Sequence, residues 1–188
     1  MGRHRSVSTA TATIMDNQRI FSDLLEQHYG IVGKVVGTYC WHPDDRDELT
    51  QEVLTQLWRA FPRYDDSQSF STWMFRVALN VSISWVRRHS LRLRHTVALD
   101  EDVDVAGDIG SDAAEDERMA FLRSFIEDLD PLNRALMLLY LEERSYKDIA
   151  DILGISETNV ATKISRLKQR VRKQADDTNN EGTNDGTR

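Results

Sequence analysis

Apolar positions recur at helical spacing along most of the chain. Phe21, Leu24, Leu25, His28, Val32, Val35, Val36 and Tyr39 fall at three- and four-residue intervals and predict one face of a helix. Pro43 opens a second helix at the first helical position, where its missing N–H costs nothing. Leu49, Val53 and Leu57 bury one side of that helix, with Leu54, Trp58 and Phe61 alongside. Pro62 to Ser69 reads as a loop, and Phe70 or Ser71 starts a third helix that turns Trp73, Met74, Val77, Ala78, Val81 and Trp85 inward. With few β-branched alternations and no hairpin signals, the predicted fold is all-α.

The sharpest pattern lies further on. Ser145, three residues before Asp148, marks a helix start of the capping-box type. Ile149, Ala150, Ile152 and Leu153 give an apolar face, and Gly154 stands where a helix end needs positive φ. Ile155 sits under the turn and Ser156 is a natural N-cap for the next helix. Val160, Ile164, Leu167 and Val171 form that helix's buried stripe. Glu157, Thr158, Asn159, Thr162 and Lys163 are left facing outward at its start, followed by Arg166, Lys168, Arg170, Arg172 and Lys173. Two short helices joined by a tight turn, the second becoming basic, predict a helix-turn-helix whose second helix enters a DNA major groove. There Asn pairs with adenine, Lys with guanine, and Thr meets the thymine methyl. The later cations suit phosphates, which position without reading sequence. The alternative is a helical hairpin with a solvated basic face.

Charge first argues against a polyanionic partner, since the 188-residue chain carries a net charge of −7. Its distribution reverses that. Ser156 to Lys173 holds six basic residues against Glu157 alone, and Arg59 to His95 holds seven arginines against Asp65 and Asp66. Asp100 to Glu117 holds nine acidic residues and no basic one. Local fields decide where DNA docks. The expected organisation is two small helical domains, 16–95 and 118–173, joined by an acidic flexible linker, 96–117. Residues 1–15 and 174–188 are expected to be disordered tails. The first of these superficially resembles a transit peptide and matches a myristoylation pattern, and Met15 is an alternative start. Cys40 is the only cysteine, which excludes a disulfide framework and a Cys-based zinc site, and its apolar context predicts burial. No apolar run is long enough to span a membrane.

Two constellations stand out in the first domain. Asp45, Glu48 and Glu52 share a helical face, within an acidic run from Asp44 that also holds Asp47 and Gln51. A di-metal reading lacks the Glu-x-x-His pair that such bundles use. Complementing the helix dipole and docking a basic partner helix both remain open on composition. The second constellation is Tyr64, Phe70, Trp73 and Trp85 interleaved with Arg63, Arg76, Arg87 and Arg88, with Arg92, Arg94 and His95 beyond. Rings beside cations suit single-stranded DNA, where bases stack and phosphates follow the charge. Plain core packing is the competing reading.

The segments DRDELTQEVLTQLWRAF, FSTWMFRVALNVSISWVRR and LDPLNRALMLLYLEERSYKDIADILGISETNVATKISRLKQRVRK, in this order and spacing, resemble a bacterial RNA polymerase sigma factor of the extracytoplasmic-function group. The resemblance covers residues 18–95 and 118–173. It implies a cytoplasmic, nucleoid-associated protein that is not an enzyme, has no cofactor or small-molecule substrate, and binds core polymerase and promoter DNA. It implies that Asp45, Asp47, Glu48, Gln51 and Glu52 dock on the β′ clamp helices, with the β flap as a further polymerase contact. Phe70, Trp73, Arg76 and Asn80 match the FxxWxxRxAxN promoter-melting pattern. Arg63 and Tyr64 fall where the group captures a flipped base of the −10 element, and Trp85, Arg87 and Arg88 in its −10 recognition region. Glu157, Thr158, Asn159, Thr162, Lys163 and Arg166 resemble the −35 reader. The acidic linker would mimic nucleic acid within the polymerase. Members of the group are often held by an anti-sigma factor. The chain departs from the group at Leu54, at His42-Pro43, and in a recognition helix that starts less basic than is common. Two other readings use the same residues: a stand-alone helix-turn-helix regulator, or a helical adaptor that binds a protein through its acidic face.

Overall fold

The computed structural model describes the backbone of residues 5–40, 42–95 and 113–182, and the side chains of 15–40, 42–89 and 119–177. The chain divides into two compact units, Met1–Thr96 and Val97–Arg188.

The first unit contains α1 (Arg5–His28), α2 (Gly30–Tyr39), α3 (Pro43–Ala60) and α4 (Phe70–His95). The stripe that runs from Phe21 to Tyr39 in the sequence is divided at Tyr29. That residue keeps a near-helical backbone (φ −54°, ψ −33°), and its carbonyl accepts from the Val32 N–H at 3.0 Å. The break is a turn within an otherwise continuous helical path, next to Gly30, a poor helix former. Pro43 lies in the first turn of α3, with Asp44 and Asp45 beside it complementing the dipole. Leu49, Val53 and Leu57 are fully buried on the inner side of α3. α4 packs against both α2 and α3. Its Met74, Phe75, Ala78 and Leu79 form the core of the unit with Val32, Val35 and Val36 of α2. Cys40 is buried as expected, and that burial, reinforced by Asp45, pushes its thiol up to about 11.

Between α3 and α4 the expected loop begins with one 3-10 turn, Phe61–Arg63. The rest is tied to itself. The Tyr64 hydroxyl donates to the Gln68 carbonyl at 3.0 Å, and the Ser67 N–H donates to Asp65 at 2.9 Å. The Thr72 N–H donates to Ser69 Oγ at 3.2 Å, which caps α4.

The second unit contains α5 (Ala113–Glu127), α6 (Pro131–Leu141), α7 (Tyr146–Leu153) and α8 (Glu157–Gly182). Asp130 caps α6 by accepting from the Leu132 and Asn133 N–H groups, both at 3.1 Å. Arg134 reaches back to the carbonyls of Leu129 and Glu127 and so closes the end of α5. Ser145 Oγ accepts from the Asp148 N–H at 3.1 Å, and Gly154 has φ +67°. The Ile155 N–H returns to Ala150 O at 3.1 Å, and Ser156 Oγ accepts from the Asn159 N–H at 3.2 Å. The helix-turn-helix thus forms with the caps and turn that the sequence predicts. Phe125, Leu136, Leu139, Ile149, Val160 and Ile164 are its buried centre.

The fold is all-α among the described residues. Helix extends further than expected at three places: α1 begins at Arg5, α5 at Ala113, and α8 continues to Gly182. Once a helix is nucleated, each added residue gains a hydrogen bond at little further cost. Residues 96–112, holding most of the acidic linker, lie outside the described residues, as do residues 1–4 and 183–188. The side chains of Arg92, Arg94, His95, Glu115, Asp116 and Glu117 also lie outside them. No described helix is long and apolar enough to cross a membrane, and no described His, Cys, Asp and Glu cluster could hold a metal ion.

Candidate nucleic-acid and protein interfaces

α3 divides its acidic residues between solvent and α4. Asp47, Glu48 and Gln51 are exposed, while Asp45 and Glu52 are half-buried. Glu52 faces Arg88 of α4, whose Nη2 donates to both carboxylate oxygens at 2.7 and 2.8 Å. Asp45 lies 3.9 Å from His89 Nε2, and the His89 ring stacks on Trp85 with centroids 4.1 Å apart. Glu48 joins Glu52, Trp85, Arg88 and His89 around a cleft of about 120 Å³. Asp45, Glu48 and Glu52 therefore do share a side of α3, the side turned to the end of α4. Asp47 lines a different groove, with Gly33, Val36 and Arg46.

The aromatic residues resolve differently from the arginines around them. Tyr64 sits against Phe70 and Trp73, with ring centroids 5.4 and 5.2 Å away, and Phe70 and Trp73 are 5.2 Å apart. Phe61 completes the cluster, stacked on Tyr64 at 6.1 Å. Phe70, Trp73 and Trp85 are only 5, 7 and 6% exposed. Of the two readings the sequence left open for these rings, base stacking and core packing, their burial favours core packing. Rings gain by burial and edge-to-face packing, and their faces are already covered by neighbours. Tyr64 alone is half-buried at the rim. Its burial, with Asp66 and Asp65 nearby, pushes the hydroxyl above its ordinary pKa.

The polar members of the same set reach solvent. Arg63, Asn80, Arg87 and Arg88 are exposed and Arg76 is half-buried. Asn80 and Ser84 form the rim, with Glu52 and Gln56 opposite, of an open groove of about 370 Å³ between α4 and α3. Ala60, Val77 and Val81 also line it.

On the helix-turn-helix, Glu157, Thr158, Asn159, Thr162 and Arg166 are exposed on the first turns of α8, and Lys163 is half-buried. The Thr162 hydroxyl donates to Thr158 O at 2.9 Å and so is engaged within the helix. Of the later cations expected to face outward, Arg170 is exposed and Lys168 half-buried, and each also meets a ring of its own unit. Lys168 lies 4.3 Å from the centre of the Tyr140 ring, and Arg170 lies 5.7 Å from that of Phe125. The hydrogen bond to Tyr140 raises the Lys168 pKa. Both contacts brace α8 on the helices before it, and cation–ring attraction of this kind stabilises the unit. Nothing in the sequence foretold the Glu52–Arg88 pair, because its partners are 36 residues apart on separate helices.

Residues 24–92 match the family model described as Sigma-70 region 2, and residues 122–171 match the one described as Sigma-70, region 4. The ECF RNA polymerase sigma factor SigM of Bacillus subtilis (strain 168) is 30% identical over 130 residues, covering 67% of this chain and 77% of that protein. The ECF RNA polymerase sigma factor SigW of the same strain is 25% identical over 171 residues, 86% of this chain and 91% of that one. The structure of the sigma factor RpoE from Bartonella quintana, solved with the anti-sigma factor NepR, has the same fold. It matches with a TM-score of 0.64 at 18% identity, covering 83% of this chain and 96% of that one. With region 2 across the acidic and arginine-bearing helices and region 4 across the helix-turn-helix, the chain belongs to the extracytoplasmic-function group of RNA polymerase sigma factors, which bind core polymerase and promoter DNA to direct promoter-specific transcription initiation.

Proposed function

We propose that three surfaces divide the work of initiation. The exposed acidic surface of α3, with Asp47 and Gln51 on its outer side and Glu48 on the side turned to α4, docks on basic β′ clamp helices, and the half-buried Asp45 and Glu52 lie at its edge. The start of α8 reads the −35 duplex through Glu157, Thr158, Asn159, Thr162, Lys163 and Arg166, and the same unit meets the β flap. Arg63, Tyr64, Arg76, Asn80, Arg87 and Arg88 hold the unpaired −10 strand. Phe70, Trp73 and Trp85 act from beneath by fixing the backbone that carries them. Extruding a base costs a few kcal/mol, and contacts made only to the separated strand offset that cost without a nucleotide cofactor.

The observation that carries this reading is the contrast between two helices of one unit: exposed carboxylates, Asp44, Asp47 and Glu48, crowd the first turns of α3, while the described part of α4 carries Arg76, Arg87 and Arg88 and no carboxylate. In this reading the factor works in the cytoplasm at the nucleoid, the polymerase performs all bond-making, and an anti-sigma protein holds the factor when it is idle. A related structure, RpoE with NepR, is such a complex.

The test adds the pure protein to sigma-free core polymerase with a pool of genomic promoter fragments and sequences the transcripts. Transcripts from fragments sharing one −35 and one −10 element are the expected result. Duplex binding without transcripts identifies a stand-alone regulator. Neither activity identifies an adaptor and overturns the proposal.

A further inference from the structure

The Glu52–Arg88 pair joins two surfaces that the proposed function uses separately. Glu52 stands at the edge of the polymerase-docking side of α3, and Arg88 lies on the DNA-holding part of α4. Here each is the other's partner. Both hydrogen bonds come from Nη2, and the side chains are 29% and 54% exposed, open enough for an incoming charge to compete. A guanidinium held this way has its charge cancelled locally, so it attracts a phosphate less. A carboxylate held this way is equally screened from a polymerase cation.

We propose that this ion pair couples polymerase docking to capture of the −10 strand. The inference rests on the assignment of surfaces above. Docking draws Glu52 towards the polymerase and releases Arg88 for a phosphate. Strand binding draws Arg88 away and releases Glu52. Coupling between two binding events is reciprocal by necessity, so each ligand raises the affinity for the other. Partly exposed ion pairs are weak, which sets the coupling at about two- to fivefold. The free factor is thereby biased against DNA until polymerase arrives. A simple positioning role, with Glu52 aiming Arg88 at DNA, predicts the opposite sign when the carboxylate is removed.

The test is fluorescence anisotropy of a labelled single-stranded non-template −10 oligonucleotide, taken from a promoter found in the transcription assay. Full-length factor is measured with and without core polymerase over a range of salt. In the free factor, Glu52→Gln should tighten strand binding about two- to fivefold. It should also steepen the slope of log affinity against log salt by about 0.7, one more phosphate contact on a single strand. The gain on adding core should shrink by the same factor. Unchanged or weaker binding with an unchanged slope overturns the coupling alone. Strand binding absent even from the wild-type complex overturns the surface assignment with it. If Glu52→Gln does not fold, Arg88→Gln carries the reciprocal arm: its affinity for core polymerase should rise about two- to fivefold, and an unchanged or lower affinity overturns the proposal.

Discussion

Gly154 and Glu143 both take up left-handed backbone, at φ +67° and +56°. Gly154 is legible in the sequence, since a glycine between two apolar helical stripes marks a helix end. Glu143 is not, because no local signal announces a glutamate there. The tight join of α6 to α7 demands it. Arg144 N–H returns to Leu139 O at 3.1 Å and Glu143 N–H to Tyr140 O at 3.0 Å, a closure that needs positive φ at Glu143. A side chain in that conformation costs about 1 kcal/mol or more. Glu143→Gly should therefore raise the stability of the second unit by about 1 kcal/mol, and Gly154→Ala should lower it by a similar amount. Thermal melts followed by circular dichroism check both. Phe70, Trp73 and Trp85 show the limit of reading at this scale. Ring type and spacing suit a stacking platform and a core equally, and only three-dimensional packing shows the faces already covered.

Three helix starts were legible, two from a capping serine and one from a proline in the first turn. Ser145, Ser156 and Pro43 all act as their positions predict. Helix ends set by cooperativity were not legible, as the reach of α1 to Arg5 and α8 to Gly182 shows. The division between α1 and α2 was hidden for a related reason: Tyr29 remains in helical backbone, so the apolar period runs through the break. α6 bears the clearest unused signal, Asp130 followed by Pro131, an N-cap before proline at the first turn. Asp130→Ala removes the acceptor of two N–H groups and should cost about 1 kcal/mol. A lower urea midpoint for the second unit, with native circular dichroism retained in buffer, is the expected outcome.

Over the whole chain, the net charge of −7 misleads while its distribution informs. The acidic helix and the arginine-bearing helix were both visible as local clusters, and so was the helix-turn-helix. Their meeting through Glu52 and Arg88 was not, since pairing between helices depends on how α4 packs on α3. Asp47 and Glu48 are exposed, so replacing both with arginine leaves the core intact. Asp47→Arg with Glu48→Arg should abolish binding to core polymerase while the melting profile stays unchanged. Retained affinity in a titration against labelled core removes the docking assignment. The loop from Tyr64 to Ser69 bears on how such a factor diversifies. Its shape is fixed from beneath by Phe61, Phe70 and Trp73 and from within by its own hydrogen bonds. Arg63, exposed in the 3-10 turn just before it, enters none of those ring contacts or hydrogen bonds. On the proposed assignment, mutation at such positions changes which genes are served without endangering the fold. A regulon can thus be rewired by single inherited changes in a lineage whose protein stays sound throughout.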